Sequence, residues 1–171
     1  MWLARDKTVQ KYVAVKFCTA NSNPKELDVI STLRCPIYSP VHNSAKAMVP
    51  SILERFTIHG PNSSHACYVT ALARARLSDV KDGSWIRLFQ LNVARSLATQ
   101  LVLVVNCIHA KGIVHRDLHL GNILLKVPST FDQITVEQLY EKYGAPELDP
   151  VVHLDSNPLP PGVPSHGVTS I

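Results

Sequence analysis

One polar loop, 115–122, sits between two short apolar runs, Ile113-Val114 and Ile123-Leu124-Leu125-Lys126-Val127. Ahead of it, Ala94, Leu97, Leu101, Val104, Val105 and Ile108 recur at steps of three and four. That period places apolar side chains on one face of a helix. Lys111-Gly112 then supplies a stop, a cation in the last turn and a glycine past the end. A long helix, a stop, and a loop bracketed by two expected strands leave few folds open. The loop's charged, imidazole and amide groups must be fixed from both sides.

The preceding seventy residues read as strands and turns with one short helix. Tyr12-Val13-Ala14-Val15-Lys16-Phe17 is β-branched and aromatic, and predicts a strand. Two more strands are expected over 55–59 and 66–70, joined through Gly60-Pro61-Asn62-Ser63-Ser64 as a hairpin loop. Leu27, Ile30 and Leu33 share one face of a helix expected over 23–33, and Pro36 and Pro40 end regular structure after it. After the polar loop, Thr135 with Gln138 three residues on is a capping-box start for a helix that stops at Gly144. Six of the twelve prolines fall between Pro146 and Pro164, so the tail is expected to be extended, either as a disordered linker or as an insertion lying on a domain surface.

Composition narrows the function classes. A chain of 171 residues with 46% hydrophobic content suits one globular domain. The net charge of +4 comes without a clustered Lys/Arg stripe, which argues against direct nucleic-acid binding. The longest unbroken apolar run, Leu101 to Val105, is too short to span a bilayer, and Arg5-Asp6-Lys7 follows Met1-Trp2-Leu3-Ala4 too closely for a secretory signal. Cys18, Cys35, Cys67 and Cys107 form no C-x-x-C pair. Free thiols in the cytoplasm or nucleus are the expectation.

Asp117 and Asn122 carry the chemistry of the loop. In phosphoryl transfer a carboxylate accepts the attacking hydroxyl's proton, and a nearby amide oxygen helps hold a metal on the phosphates. The plain alternative is a polar turn whose Asp and Asn cap backbone groups. Val13-Ala14-Val15-Lys16 adds a lysine on a half-buried strand, which needs phosphates or a carboxylate as partner. Glu26 follows on the short helix. His115 and His119 have the spacing of a zinc-protease pair, but Arg116 stands where the general-base Glu belongs, so a metal hydrolase is not indicated. His59 and His65 are expected to finish a hairpin, and the 94–108 stripe to pack as core.

The strings Val13-Ala14-Val15-Lys16 and His115-Arg116-Asp117-Leu118 with Asn122 resemble the lysine strand and catalytic loop of protein kinases. A closer resemblance is to the SR-protein-specific serine/threonine kinases, in particular their fungal relatives. It is carried by Phe56-Thr57-Ile58-His59-Gly60-Pro61-Asn62, His65-Ala66-Cys67-Tyr68-Val69, Ala94-Arg95-Ser96-Leu97-Ala98-Thr99-Gln100-Leu101, His115 to Leu125, Glu137-Gln138-Leu139-Tyr140-Glu141-Lys142-Tyr143-Gly144 and the Pro-rich stretch to Ile171.

The resemblance implies an α+β, two-lobe kinase-like fold that is partial: an incomplete small-lobe β-sheet, and a helical large lobe lacking its C-terminal part. Residues 1–72 would be small lobe and hinge, 73–145 the start of the large lobe with the catalytic loop, and 146–171 a Pro-rich extended segment or insertion. It implies ATP and Mg2+ as cofactors. Lys16 would hold the α- and β-phosphates and pair with Glu26. Thr70 would guard the adenine pocket, with Ala71 and Leu72 as hinge. Asp117 would take the proton of a Ser or Thr hydroxyl, and Asn122 would ligate magnesium. The implied substrate is a protein, with Ser/Arg-rich chains as the candidates. No membrane partner is implied.

Three departures temper this. No Gly-rich strand pair precedes Lys16, and no Asp-Phe-Gly occurs. Ala145-Pro146-Glu147 resembles a kinase signature that belongs after Asp-Phe-Gly, so it is read as a coincidence, and Leu154-Asp155-Ser156-Asn157 falls in the inserted segment rather than in a degraded metal site. His119 replaces the usual Lys with a side chain only partly cationic near neutral pH. Together with Gly121 it also resembles the loop of aminoglycoside and choline phosphotransferases. The expectation is a serine/threonine kinase cut at both ends and weakly active or inactive. The alternatives are a non-catalytic kinase remnant or pseudokinase, and a small-molecule phosphotransferase. An unpaired sheet edge and an uncovered main helix imply marginal stability.

Overall fold

The computed structural model describes residues 1–21, 25–34, 45–60 and 63–168. Cys35, the first residues of the helix expected from 23, the stops at Pro36 and Pro40, and Pro61-Asn62 lie outside them.

Strand β1 (Trp2–Asp6) turns into β2 (Lys11–Phe17). The Asp6 carboxylate closes that turn, accepting the Thr8 and Val9 N–H groups at 2.8 and 3.2 Å. After α1 (Lys25–Arg34), strands β3 (Ile52–His59) and β4 (Ser64–Ala71) form the expected hairpin, each longer than the sequence suggested. The four strands make one antiparallel sheet in the order β1-β2-β4-β3. Pleating separates its faces. Val13, Val15 and Val69 pack with Ala4 on one. Tyr12, Ala14 and Lys16 share the other, where Ala14 lies opposite Thr70 and Lys16 opposite Tyr68.

Strand β5 (Ala73–Arg76) leads into α2 (Leu77–Asp82) and α3 (Leu91–His109). At the end of α3, Gly112 takes φ +70°, the Gly112 N–H donates to the His109 carbonyl at 2.8 Å, and the Ile113 N–H donates to that of Ile108 at 3.3 Å. A glycine adopts this left-handed turn without the steric cost a Cβ brings. This termination explains why Ile113-Val114 forms no strand, contrary to expectation. The Ile113 amide is spent on the helix end, and its side chain packs against the cluster Leu33, Val49 and Ile108. The strand after the loop, β6 (Leu124–Lys126), pairs instead with β5.

The apolar stripe of α3 is core only at its end. Cys107 and Ile108 are buried, Ala94, Leu97, Leu101, Val104 and Val105 are half-buried, and Leu91 and Val102 lie about two-thirds exposed. Its described core contact, Val104 and Ile108 against Leu33, Val49 and Ile113, lies at its last turns. By length and composition alone this 19-residue helix could also cross a membrane, a property that counting unbroken apolar runs overlooks, since Arg95 and Gln100 interrupt the run. Its last turn, though, is packed against α1.

A 3-10 turn (Ser129–Gln133) precedes α4 (Val136–Tyr143). The capping box is present as expected: the Gln138 N–H donates to Thr135 Oγ1 at 3.3 Å, and the Thr135 N–H to Gln138 Oε1 at 3.0 Å. The Pro-rich tail is extended, and β7 (Leu148–Pro150) pairs antiparallel with β8 (His166–Val168).

Since Ile108 is 7% exposed and joins α1 to α3, Ile108→Ala should lower unfolding free energy by about 2–5 kcal/mol in urea titrations. Val102→Ala, on the exposed side of the same helix, should change it by less than about 0.5 kcal/mol.

Candidate functional site

Lys16 points from the polar face of the sheet, and α1 delivers its partner. Nζ lies 2.5 Å from Glu26 Oε2 and 5.5 Å from the centre of the Tyr68 ring. Glu26 sits in the first turn of α1, where the helix dipole favours a carboxylate, and Leu33 anchors the helix at its other end. Burial opposes both charges, but the Glu26 carboxylate and then Tyr68 hold the Lys16 ammonium above its ordinary range. In the same way burial pushes Glu26 up and Lys16, then Tyr68, more than offset it, leaving the carboxyl below its ordinary range. Burial pushes the Tyr68 phenol up. The pair remains solvated, with side chains 36% and 52% exposed. Thr70 is buried opposite Ala14, at the strand end that runs through Ala71 and Leu72 into β5.

The second group is the loop after α3. Arg116 takes φ +65°, an uncommon conformation for a residue with a side chain. Asp117 follows it, its N–H donating to His115 Nδ1 at 3.3 Å. Asn122 Nδ2 donates to both the Asp117 backbone carbonyl, at 2.9 Å, and its carboxylate Oδ2, at 2.8 Å. His119 Nδ1 accepts the Gly121 N–H at 3.1 Å, capping the 3-10 turn Leu120–Asn122, while its Nε2 lies 3.6 Å from Asp117 Oδ1. A Cβ on Gly121 would meet the His119 ring at 2.8 and 2.9 Å, so the bare glycine is what lets the imidazole fold back. The structure thus joins Asp117, His119 and Asn122, and separately Lys16 and Glu26. No hydrogen bond or ion pair links the two groups among the described residues.

The donor set fits a hard cation in part. With Asn122 Nδ2 committed to Asp117, the amide Oδ1 and the second carboxylate oxygen remain, the oxygen ligands magnesium takes alongside substrate phosphates. Among the described residues no group of three His, Cys, Asp or Glu could hold a metal by itself. Asp155 is tied locally to His153 and Asn157. Two surface hollows of about 360 and 370 Å3 lie between α1 and β3 and along α3, the second bordered also by Leu118 of the loop.

Tyr68 escaped the sequence reading as a site residue. Its signal is the register between β2 and β4 that sets it opposite Lys16, which a strand assignment without pairing does not reveal.

No protein-family model matches the chain. It is 27% identical over 128 residues to "Protein kinase dsk1" of Schizosaccharomyces pombe, covering 73% of this chain and 24% of that protein. It is 32% identical over 106 residues to "Probable serine/threonine-protein kinase sky1" of Dictyostelium discoideum, covering 60% of this chain and 16% of that one. The chain therefore spans a quarter or less of the length of these relatives. Over most of its own length it is similar to protein kinases, and its α+β arrangement of sheet and helices is compatible with part of such a fold.

The ion pair sets a pH window. Glu26 lies below its ordinary 4.5 when folded, so its contribution is present above that value and lost as pH falls through the lower folded one. Lys16 lies above 10.5, so its contribution is full below 10.5 and lost as pH rises through the folded value. Glu26→Gln should therefore cost about 0.2–1 kcal/mol, the range for a solvated pair. In chemical denaturation that difference should stay flat from roughly pH 5 to 10 and shrink in more acid solution.

Proposed function

We propose that this chain is the nucleotide-binding and catalytic-loop part of a serine/threonine protein kinase of the SR-protein-kinase kind. It passes the γ-phosphoryl of ATP to Ser or Thr hydroxyls of a protein, with Ser/Arg-rich chains as the candidate substrates and the cytoplasm or nucleus as its place. The lobes are 1–72 and 73–145, with 146–171 as an extended addition. The Lys16–Glu26 pair at 2.5 Å is the observation that carries the reading. Phosphoryl transfer rests on positioning and charge stabilisation, and a lysine steered by a helix carboxylate is the part that grips ATP phosphates. It stands on the sheet face that also bears Ala14 and Thr70, with Ala71 and Leu72 next along the strand.

In the loop, the Asp117 carboxylate accepts the proton of the substrate hydroxyl. The Asn122 amide holds that carboxylate through Nδ2 and leaves Oδ1 for magnesium. When bound, magnesium neutralises charge on the phosphates. His119 sets a second polar hydrogen donor beside Asp117, its Nε2 3.6 Å from the carboxylate Oδ1. Sequence similarity to two proteins named as protein kinases supports the same reaction class.

Equilibrium binding of ATP, with and without magnesium, tests this. Wild-type chain should bind in a magnesium-dependent way, and Lys16→Ala and Asn122→Ala should each weaken binding by tenfold or more. Because the chain contains no Asp-Phe-Gly, turnover on a Ser/Arg-rich peptide should stay far below the ~1–100 s⁻¹ of kinases and vanish in Asp117→Ala. Absence of ATP binding in the folded wild-type chain would leave the kinase-remnant reading in its place.

A further inference from the structure

Tyr12 lies on the same strand face as Lys16, one residue past Val13, whose pairing with Ala71 is the last between β2 and β4. Its N–H is taken by a side chain, Asp132 Oδ1, at 2.9 Å. Its hydroxyl donates to the Ile134 carbonyl at 3.0 Å, and Arg5 Nη1 donates to the same oxygen at 3.2 Å. The Arg5 guanidinium lies 5.1 Å over the Tyr12 ring, and Phe131 meets that ring edge-on at 5.2 Å. Three hydrogen bonds and one ring contact thus bring the first hairpin onto a segment 119 to 129 positions further on.

That segment is also tied to the catalytic loop. Asn122 ends the loop, β6 starts at Leu124, and the 3-10 turn bearing Phe131 and Asp132 follows within a few residues. Strand β6 pairs with β5, and the Leu77 N–H donates to the Ile123 carbonyl at 2.9 Å. The segment after the loop is therefore held from below by β5 and α2, while above it grips the strand that carries Lys16. Along the chain β4 passes into β5 through Ala71 and Leu72, and a swing about that junction would pull on the Tyr12 contacts.

We propose that residues 131–134 are a clamp, with Tyr12 as its pin and Asp132 as its acceptor, which sets the opening between the Lys16 strand and loop 115–122 and so paces nucleotide release. The pacing rests on the nucleotide site proposed above; the clamp itself rests on the contacts alone. Tyr12 and Asp132 are positioning residues, since both act through strand β2.

The test is stopped-flow dissociation of a fluorescent ATP analogue with magnesium from the full chain, alongside hydrogen exchange of the free protein. Tyr12→Phe and Asp132→Ala should each speed release about threefold to tenfold, the scale of one net hydrogen bond. Asp132→Asn keeps an acceptor oxygen and should release within about twofold of wild type. In exchange, Asp132→Ala should expose peptides covering 11–17 and 131–134 together while 64–71 stays protected. Unchanged release rates in Tyr12→Phe and Asp132→Ala overturn the pacing, and unchanged exchange in 11–17 and 131–134 overturns the clamp. If wild type binds no nucleotide, the pacing falls with the nucleotide site, and the exchange measurement alone decides whether the clamp stands.

Discussion

Leu33, Val49 and Ile108 form the contact on which the candidate chemistry depends. Leu33 ends the helix that starts with Glu26, and Ile108 ends the helix that delivers the loop of Asp117 and Asn122. Burying these three aliphatic side chains is the step that turns two helices, far apart in sequence, into one support. Apolar burial is not directional, yet here it fixes direction. Anchoring α1 at Leu33 leaves Glu26 at the free end, over the sheet, where Lys16 meets it. The ion pair does not hold the helix in place. Its partners are too solvated for that, and a pair of this exposure contributes little by itself. It reports where the helix has been put.

The same division between support and chemistry runs through the loop. Gly112 spends the Ile113 amide on closing α3, so that segment enters the loop unpaired. Beyond the loop, β6 is secured to β5, and Asp132 reaches back to Tyr12. Asp117 therefore lies between a helix end fixed by a core contact and a strand fixed by its ladder. Its own fixing is local, two hydrogen bonds from one Asn122 amide nitrogen. Short polar spans can carry such geometry only when both ends are held, as they are here.

What the sequence disclosed follows from how local each signal is. The strand of Val13 to Lys16, the Thr135 capping box, the Gly112 stop and the Asp117–Asn122 spacing are written in neighbouring residues, and each was legible. Ile113-Val114 misled because an apolar pair fits a strand or a packed helix exit equally well, and the choice was made by Leu33 and Val49, which lie more than sixty positions away. Strand β1 went unread because Trp2 to Asp6 mixes charge and bulk, and pairing with β2 supplies the order that pattern lacks. Tyr68 beneath Lys16 and Asp132 beside Tyr12 depend on register and long-range docking, for which no local pattern exists.

His119 shows how a departure from a family pattern can be physically self-consistent. A lysine at that position would bring a permanent cation and three donors but no acceptor. The Gly121 N–H needs an acceptor, and the imidazole supplies one through Nδ1 while its other nitrogen stays 3.6 Å from Asp117. Accepting at Nδ1 assigns the remaining ring proton to Nε2, the nitrogen on the Asp117 side. One side chain therefore caps the turn that presents Asn122 and sets a donor beside Asp117. The arrangement needs position 121 to lack a Cβ, since one would lie within 2.9 Å of the ring. His119 and Gly121 thus fit together, the imidazole lying where a Cβ on residue 121 would press on it.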